Sequence, residues 1–165
     1  MAKKGKKQKP SYANKGKTIA LNKRARFEYQ IEERFEAGLV LEGWEVKSLR
    51  ESRIEFSDSY ILLKDNEAWL FGCLMNPLPT TSKHQTVDPT RTRKLLLHRN
   101  EIDKLMGAVE RQGYTVIPTA VYWSKGRVKL EIGLAKGKQQ HDKRKSVKNR
   151  EWKIEQGRIM KGINR

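Results

Sequence analysis

The sequence has few of the residues that hold metal ions or form disulfide bonds. Cys73 is the single cysteine, and the three histidines form no HxxxH pattern. One cysteine excludes an internal disulfide framework and is typical of a protein in a reducing compartment. Metal sites require clustered ligands at defined spacing, and none is evident in this sequence. We therefore predict a cytoplasmic protein with no metal ion and no other cofactor.

Long apolar segments are missing as well. No stretch of the sequence approaches the ~18 apolar residues that a membrane-spanning helix requires. The basic N-terminus is not followed by the apolar region of a secretory signal. We therefore expect no association with membranes.

Acidic residues are absent from the first 26 positions, which contain ten Lys or Arg residues. Residues 136–165 contain eleven Lys or Arg residues against three acids, whereas residues 27–135 are nearly balanced, with 15 basic and 16 acidic side chains. The formal net charge of +17 therefore resides in the two ends of the chain. This distribution predicts a neutral folded domain with two basic arms. The expected partner is a large polyanion, most often a nucleic acid.

The sequence also lacks a convincing catalytic group. Glu32, Glu33 and Glu36 are close together, but a solvated edge or a set of hydrogen-bond acceptors for RNA explains them better than acid–base catalysis. His141 stands beside Asp142 in a basic segment, without a nucleophile or an enclosing pocket. We therefore predict that the protein is not an enzyme.

Short segments rich in β-branched and aromatic residues predict a mainly β domain. They lie at 27–31, 37–41, 59–63, 68–73, 114–123 and 127–135, and 124–126 reads as a hairpin turn between the last two. Apolar periodicity predicts one helix at 101–112, with Asn100 as N-cap and Gly113 as the residue that ends it. A shorter helix is predicted from near Trp44 through Arg50.

This order of elements favours a small closed β-barrel of the OB type, with a half-open sandwich as the alternative. We predict a disordered basic arm at 1–17, an OB-like barrel at 18–135 and a basic tail at 136–165. Trp152, Ile159 and Ile163 share one helical face in that tail, and Met160 borders it. Because this apolar stripe is thin, the tail is expected to be disordered in isolation and to fold as a helix only within a charged groove.

Two segments place cations directly before an apolar strand. The first is 21–31, which contains Asn22, Lys23, Arg24 and Arg26, and the second is 89–97, which contains Arg91, Arg93 and Lys94. Small β-barrels bind single-stranded or looped RNA through their loops and one face of the sheet. Both segments are therefore predicted to contact RNA.

Several strings of this sequence resemble the SsrA-binding protein family (small protein B, SmpB). They are IALNKRARFEYQIEERFEAGLVLEGWEVKSLR, FSDSYILL, DPTRTRKLLL, GYTVIPTAVYW and GLAKGKQQHDKR, followed by REWK and RIMK. The resemblance covers about residues 18–165. It implies an OB-like barrel that binds the tRNA-like domain of transfer-messenger RNA (tmRNA) in trans-translation, without performing bond chemistry. It also implies that alanyl-tmRNA and elongation factor Tu accompany the protein to stalled ribosomes.

The resemblance further implies two sets of RNA-binding residues. The tmRNA-binding set on the barrel is Asn22, Lys23, Arg24, Tyr29, Glu36, Leu96 and Lys129. The set for the ribosomal decoding centre and the empty mRNA channel is Gly137, Lys138, His141, Asp142, Lys143, Arg144, Trp152, Ile159 and Met160. In this interpretation the tail becomes helical on the ribosome, cations hold phosphates, Glu36 accepts hydrogen bonds from base or ribose, and Tyr29 stacks. We expect the protein to be a monomer.

Two positions depart from the family pattern. His98 stands where many members carry Asn near the RNA, and Glu131 occupies a strand position that is often basic. Each departure predicts an altered RNA contact at that position. A second class of function remains open, namely a structural ribosomal or assembly protein with unspecific basic extensions.

Overall fold

The computed structural model describes residues 16–56, 58–84 and 86–163, which contain nine strands and four helices. The strands are β1 Thr18–Leu21, β2 Tyr29–Leu39, β3 Ile54–Glu55, β4 Tyr60–Lys64, β5 Glu67–Phe71, β6 Leu74–Met75, β7 Arg93–Leu96, β8 Thr115–Ser124 and β9 Arg127–Gly137. The helices are α1 Lys23–Glu28, α2 Gly43–Arg50, α3 Arg99–Gln112 and α4 Gln140–Ile163. The mainly β class predicted from the sequence is confirmed.

Seven strands form one antiparallel sheet, in the order β1-β8-β9-β2-β7-β5-β4, while β3 and β6 form a separate pair. β2 is the central strand of the seven-stranded sheet, and the predicted hairpin of β8 and β9 lies between β2 and the edge strand β1. The turn is tighter than predicted, because Ser124 belongs to β8 and only Lys125 and Gly126 connect the strands. Their φ angles of 49° and 73° are the positive values that a two-residue hairpin turn of type I′ requires.

The closed barrel predicted from the sequence is not what the strand pairing shows. The sheet begins with β1 and ends with β4, and within the described residues these two edge strands do not pair. β4 does approach β8, so the sheet curves back on itself. β1 pairs only with residues 120–122 of β8, and no strand pairing between β4 and β8 completes a ring within the described residues.

One face of the sheet carries the main hydrophobic core. The alternating side chains Val128, Leu130, Ile132 and Leu134 of β9 point into it, as their spacing predicts. α2 and α3 add buried apolar side chains to the same core. Cys73 is fully buried in the same core, and this burial raises the pKa of its thiol to about 11.

Helix α1 was not predicted. The sequence predicts Phe27 and Glu28 in a strand, whereas both lie at the end of a six-residue helix and β2 starts at Tyr29. The helix begins at Asn22, whose side-chain oxygen accepts a hydrogen bond from the Ala25 nitrogen at 3.0 Å. A helix of six residues is too short to show a helical period in the sequence, so strand propensity dominated the prediction.

The two predicted helices are present, with one correction. The N-cap of α3 is His98 rather than Asn100, and the Glu101 carboxylate accepts a hydrogen bond from the His98 nitrogen at 2.9 Å. Gly113 ends the helix at φ 67°, as predicted. α2 covers the predicted segment from Trp44 to Arg50.

The basic tail forms a single 24-residue helix, α4. The helical form agrees with the one expected for the tail on the ribosome, and its disorder in isolation stays a prediction. The helix is attached near its start, where the Lys138 nitrogen donates to the Glu28 carbonyl at 2.8 Å and Phe27 of α1 shares a shallow groove with Val147. Beyond Val147, every described residue through Gly162 is exposed. No helix in the described part of the chain is both long and apolar enough to cross a bilayer.

Candidate RNA interface

The face of the sheet opposite the main core gathers three of the residues predicted to bind RNA. Gly38 of β2 pairs with Leu96 of β7 on one side and with Lys129 of β9 on the other. Glu36 lies on the same face, two residues before Gly38, because Ala37 between them is buried in the core. We call the surface formed by Glu36, Gly38, Leu96 and Lys129 the outer face.

A groove of about 320 Å³ runs along the outer face, and Gly38, Leu96 and Lys129 contribute to its lining. Leu96 is 55% exposed, an unusual degree for a leucine on a sheet. A Cβ at position 38 would lie 3.2 Å from the Cβ of Leu96, so glycine allows Leu96 to pack closely across the strand. The groove thus combines an apolar side chain with a nearby ammonium group.

A buried tyrosine supports the carboxylate of the outer face. Tyr122 of β8 is fully buried, and its hydroxyl donates a hydrogen bond to the Glu36 carboxylate. The sequence analysis identified Glu36 but not Tyr122. No local signal links the two residues, because they are 86 positions apart in the chain.

Glu131 takes no part in this exposed surface, contrary to the prediction of an altered RNA contact at its position. It is fully buried and accepts hydrogen bonds from Arg34 at 2.5 Å and from the Thr119 hydroxyl at 2.9 Å. Thr119 reaches it from a bulge in β8, where the register shifts between Pro118 and Ala120. The carboxylate at position 131 therefore belongs to the support of the sheet.

The other predicted tmRNA-binding residues lie at the far end of β2, around α1. A bulge between Ile31 and Glu33 shifts the register by one residue, so Tyr29 lies on the same side of the sheet as Glu36 despite its odd number. About 20 Å of strand separates these two positions. Helix α1 packs over this end through Ala25, which contacts Ile117 of β8.

Helix α1 presents two of its three predicted RNA-binding residues to solvent. Lys23 is exposed, and Arg24 is half-exposed while its guanidinium pairs with Glu28 at 3.0 Å and with Asp58. The hydrogen bond to Glu28 raises the pKa of Arg24. Asn22, in contrast, is only 4% exposed, and its amide donates to the Pro118 carbonyl at 3.0 Å. Asn22 therefore fixes the position of α1 and does not offer its side chain to a ligand.

The cations of the second predicted RNA-binding segment form ion pairs with acids of the same chain. Arg93 is fully buried, and its Nε donates to the equally buried Glu45 of α2 at 2.9 Å. Arg91 binds the same carboxylate through two nitrogens, at 3.0 and 2.9 Å, and these hydrogen bonds raise the pKa of Arg91. Lys94 pairs with Glu67 at 2.6 Å. The prediction of an RNA contact for this segment is wrong for Arg93, which has no exposed surface.

Two further groups considered in the sequence are located beside these surfaces. Glu32 accepts a hydrogen bond from the Tyr114 hydroxyl, and Glu33 pairs with Lys104 at 2.6 Å along a cleft of about 530 Å³ next to α3. His98 is exposed directly after β7, so it lies close in sequence to Leu96. Its altered contact with RNA stays a prediction.

The predicted ribosome-binding set follows the junction of β9 and α4. Gly137 ends β9, and the ammonium group of Lys138 donates to the Arg26 carbonyl at 3.2 Å. His141 and Asp142 lie in the first turn of α4, and their side chains are outside the described part of the structure. Further along the helix are Lys143, Arg144, Trp152, Ile159 and Met160, and the last three are 64%, 55% and 64% exposed.

Comparison with known proteins decides the family. The family model described as "SmpB protein" matches residues 19–162 of the sequence. The chain belongs to the SmpB family. Two SmpB relatives, the SsrA-binding proteins of Stenotrophomonas maltophilia strains R551-3 and K279a, are each 57% identical over 165 residues, which is 100% of this chain and 99% of each relative. The family resemblance seen in the sequence is confirmed.

A solved structure supports the SmpB fold independently. It is described as "tmRNA-SmpB: a journey to the center of the bacterial ribosome" and is 40% identical to this chain. The match has a TM-score of 0.61 and covers 78% of this chain and 93% of that chain. The arrangement of strands and helices described above is therefore one that an SmpB chain adopts in a solved structure.

The exposed groups of this SmpB-family chain are of kinds that RNA-binding proteins use. Exposed ammonium and guanidinium groups are suited to pair with phosphates, an exposed leucine is suited to pack against a base or a ribose, and the Glu36 carboxylate is a hydrogen-bond acceptor. Across the described segments there is no group of three or more His, Cys, Asp or Glu residues placed to hold a metal ion. The outer face and α1 form one candidate surface, and α4 forms another.

Proposed function

We propose that this chain binds the tRNA-like domain of tmRNA through the outer face and α1, and that it acts in trans-translation. Its relatives are named SsrA-binding proteins, and its structural neighbour is described as tmRNA-SmpB on the bacterial ribosome. Membership in the SmpB family over nearly the whole chain supports the same activity here. The proposed protein is a cytoplasmic monomer that performs no bond chemistry.

The observation that carries this proposal is the separation of two basic surfaces in space. Lys23 and Arg24 stand on α1 beside the sheet, whereas the cations of α4 lie on a helix that is exposed beyond Val147. A helix of 24 residues is about 36 Å long, so its far end stands well away from the sheet. A protein built in this way is suited to contact two different RNA surfaces at once.

In the proposed tmRNA contact, different side chains bind different parts of the RNA. Lys23, Arg24 and Lys129 neutralise phosphates, which supplies affinity without sequence preference. Leu96 and Tyr29 pack against bases or ribose, and Glu36 accepts hydrogen bonds from their donors. Discrimination between tmRNA and bulk tRNA therefore depends on the outer face more than on the cations.

The second surface is proposed to meet the ribosome. The chain accompanies alanyl-tmRNA and elongation factor Tu to a ribosome that has stalled, and α4 enters the empty mRNA channel. Residues near the start of α4, among them Lys138, Lys143 and Arg144, then lie at the decoding centre. Trp152, Ile159 and Met160 seat the helix, since their exposed apolar side chains have no comparable packing within the described chain. The nascent peptide is subsequently tagged for degradation.

We also propose that the fold is OB-like. The curvature of the sheet and the approach of β4 to β8 support an OB-like arrangement, although the sheet is open. Small sheets of this class expose one face and several loops to RNA.

Truncation after Val147 tests the division into two surfaces. It removes the exposed part of α4 and keeps the contacts of Lys138 and Val147 with α1. We expect the affinity for tmRNA to change less than about threefold, because the outer face and α1 are intact. Tagging in a reconstituted stalled-ribosome assay is expected to fall to background. The Lys23→Ala variant is the matched control, with weaker tmRNA binding at moderate salt.

Two results would contradict the proposal. If truncation abolished tmRNA binding, the RNA-binding surface would extend into α4 and the division would be wrong. If the full chain bound bulk tRNA as tightly as tmRNA at moderate salt, the alternative of a structural or assembly protein with unspecific basic extensions would be favoured.

A further inference from the structure

The hydrogen bond between Tyr122 and Glu36 crosses a strand. β9 lies between β8 and β2 in the sheet, so the two residues come from strands about 10 Å apart. The register places Tyr122 opposite Lys129, and Lys129 opposite Gly38, two residues along β2 from Glu36. The tyrosine therefore reaches diagonally across β9, and its hydroxyl meets the carboxylate on the outer face.

The burial of the two partners differs. Tyr122 is fully buried, whereas Glu36 is half-buried. A buried phenol needs a hydrogen-bond partner, and a carboxylate is a strong one because the bond is charge-assisted. The fixed tyrosine ring therefore restricts a glutamate side chain that has three rotatable bonds.

Orientation matters more for this carboxylate than for the neighbouring cations. An ammonium group such as that of Lys129 attracts phosphates from many positions, whereas a carboxylate repels them. Glu36 contributes to RNA binding only when its oxygens point at N–H or O–H donors of a base or a ribose. Holding the carboxylate in that direction before binding lowers the entropy lost on association.

We propose that Tyr122 is a positioning residue for RNA recognition, and that its buried hydroxyl fixes the Glu36 carboxylate on the outer face. The inference rests on the proposed function, since it assumes that Glu36 meets tmRNA. Tyr122 itself contacts no RNA, because its side chain has no exposed surface.

The chain contains a matched control for this arrangement. Tyr114, which directly precedes β8, donates its hydroxyl to Glu32, so the same chemical pair occurs again with its acid on β2. That pair lies beside α3, where Lys136 stands 4.4 Å from the centre of the Tyr114 ring, and it is outside the tmRNA-binding set that the family resemblance implies. Loss of the Tyr114 hydroxyl should therefore leave RNA binding unchanged.

A double-mutant cycle with the full-length chain tests the proposal. The dissociation constant for the tRNA-like domain of tmRNA is measured for Tyr122→Phe, Glu36→Ala and the double variant, with Tyr114→Phe as control. Tyr122→Phe is expected to weaken binding about five- to tenfold, and the double variant no further than Glu36→Ala alone. Tyr114→Phe is expected to stay within about twofold of the unchanged protein.

A second variant tests the proposal without a substitution at position 122. Glu36→Asp retains the charge but shortens the side chain by one methylene, so the carboxylate no longer reaches the Tyr122 hydroxyl. It is expected to lose affinity to about the same extent as Tyr122→Phe, and urea denaturation of both variants measures separately how much stability is lost with the buried hydrogen bond. A purely structural role of Tyr122 would instead lower the urea midpoint of Tyr122→Phe and leave Glu36→Asp with full affinity.

The outcomes separate this inference from the proposed function. Full affinity in Tyr122→Phe, together with a loss in Glu36→Ala, would overturn the positioning role and leave tmRNA binding intact. Additive effects of the two substitutions would overturn it as well. Full affinity in Glu36→Ala would remove Glu36 from the interface, and the inference would fall with it. A failure of the unchanged protein to select tmRNA over tRNA would refute the proposed function itself.

Discussion

The segment that leads into β7 and the helix α4 are both rich in cations, yet the structure uses them in opposite ways. Arg91 and Arg93 share the carboxylate of Glu45, and Arg93 is fully buried. The cations of α4 beyond Val147 are exposed, and the nearest acid partner resolved there is Glu155, 3.9 Å from Arg158 on the same helix. The difference teaches that the cations of such a run are available to a ligand only where the fold supplies no buried acid for them.

The largest expected effect comes from removing the acid of the buried network. Glu45→Ala leaves Arg93 buried without its counter-charge and also removes the carboxylate that accepts from the Glu42 nitrogen at 3.0 Å. We expect the free energy of unfolding to fall by about 3–5 kcal/mol. Urea denaturation followed by tryptophan fluorescence measures this change.

The matched control is Glu155→Ala in α4, which removes an exposed i, i+3 pair. Its free energy of unfolding is expected to stay within about 0.5 kcal/mol of the unchanged protein. If Glu45→Ala and Glu155→Ala lowered the free energy of unfolding equally, the difference drawn between the buried and the exposed cations would be wrong.

An intermediate effect is expected from the exposed cations. Replacing Lys148 and Lys153 of α4 by alanine should leave the urea midpoint unchanged but weaken binding to small ribosomal subunits. Each lost phosphate contact is expected to lower the slope of log affinity against log salt by about 0.7–0.9. Lys64→Ala, at an exposed end of β4, is the control with an unchanged slope. A lowered urea midpoint in the double variant would show that α4 packs more firmly than its exposure indicates.

The smallest effect at neutral pH concerns Cys73, whose carbonyl accepts from Arg93 at 2.9 Å. Burial raises the pKa of the thiol from 9.0 to about 11, so the folded chain keeps the proton longer than the unfolded chain. The contribution to stability is therefore constant below about pH 9 and decreases between about pH 9 and 11. Cys73→Ala should lack this part of the decrease, and at pH 8 iodoacetamide should label only the unfolded protein. Rapid labelling of the folded chain would contradict the buried position.

Local patterns were sufficient to predict the elements whose stabilising contacts are close in sequence. The β8–β9 hairpin follows from strict alternation around Lys125 and Gly126, and α3 follows from apolar spacing that ends at Gly113. Local patterns did not predict helix α1, because this helix depends on Asn22. The amide of Asn22 is held by the Pro118 carbonyl, 96 residues away. Local patterns did not predict the open sheet for a similar reason. Whether β4 can pair with β8 depends on how β1 pairs with β8, and these strands are far apart in the sequence.

The exposed residues of the candidate site could be predicted from the sequence. The buried residues that hold them in place were harder to predict. Leu96 and Lys129 are adjacent to Gly38 in the structure, as expected if they share an interface. Asn22 and Arg93 were interpreted as ligand contacts because amide and guanidinium groups are typical of RNA-binding surfaces. Their burial is decided by acceptors from distant segments, which a single sequence does not reveal.

The contacts of α1 have a mechanical consequence. This six-residue helix rests on the sheet through Ala25, while the carbonyls of Arg26 and Glu28 hold Lys138 at the base of α4. Helix α1 is therefore the base from which α4 projects. A rotation of α4 by about 10° about this base would move the far end of a helix about 36 Å long by about 6 Å. A small change in how α4 packs on α1 would therefore displace the tip of the tail by more than one helical turn.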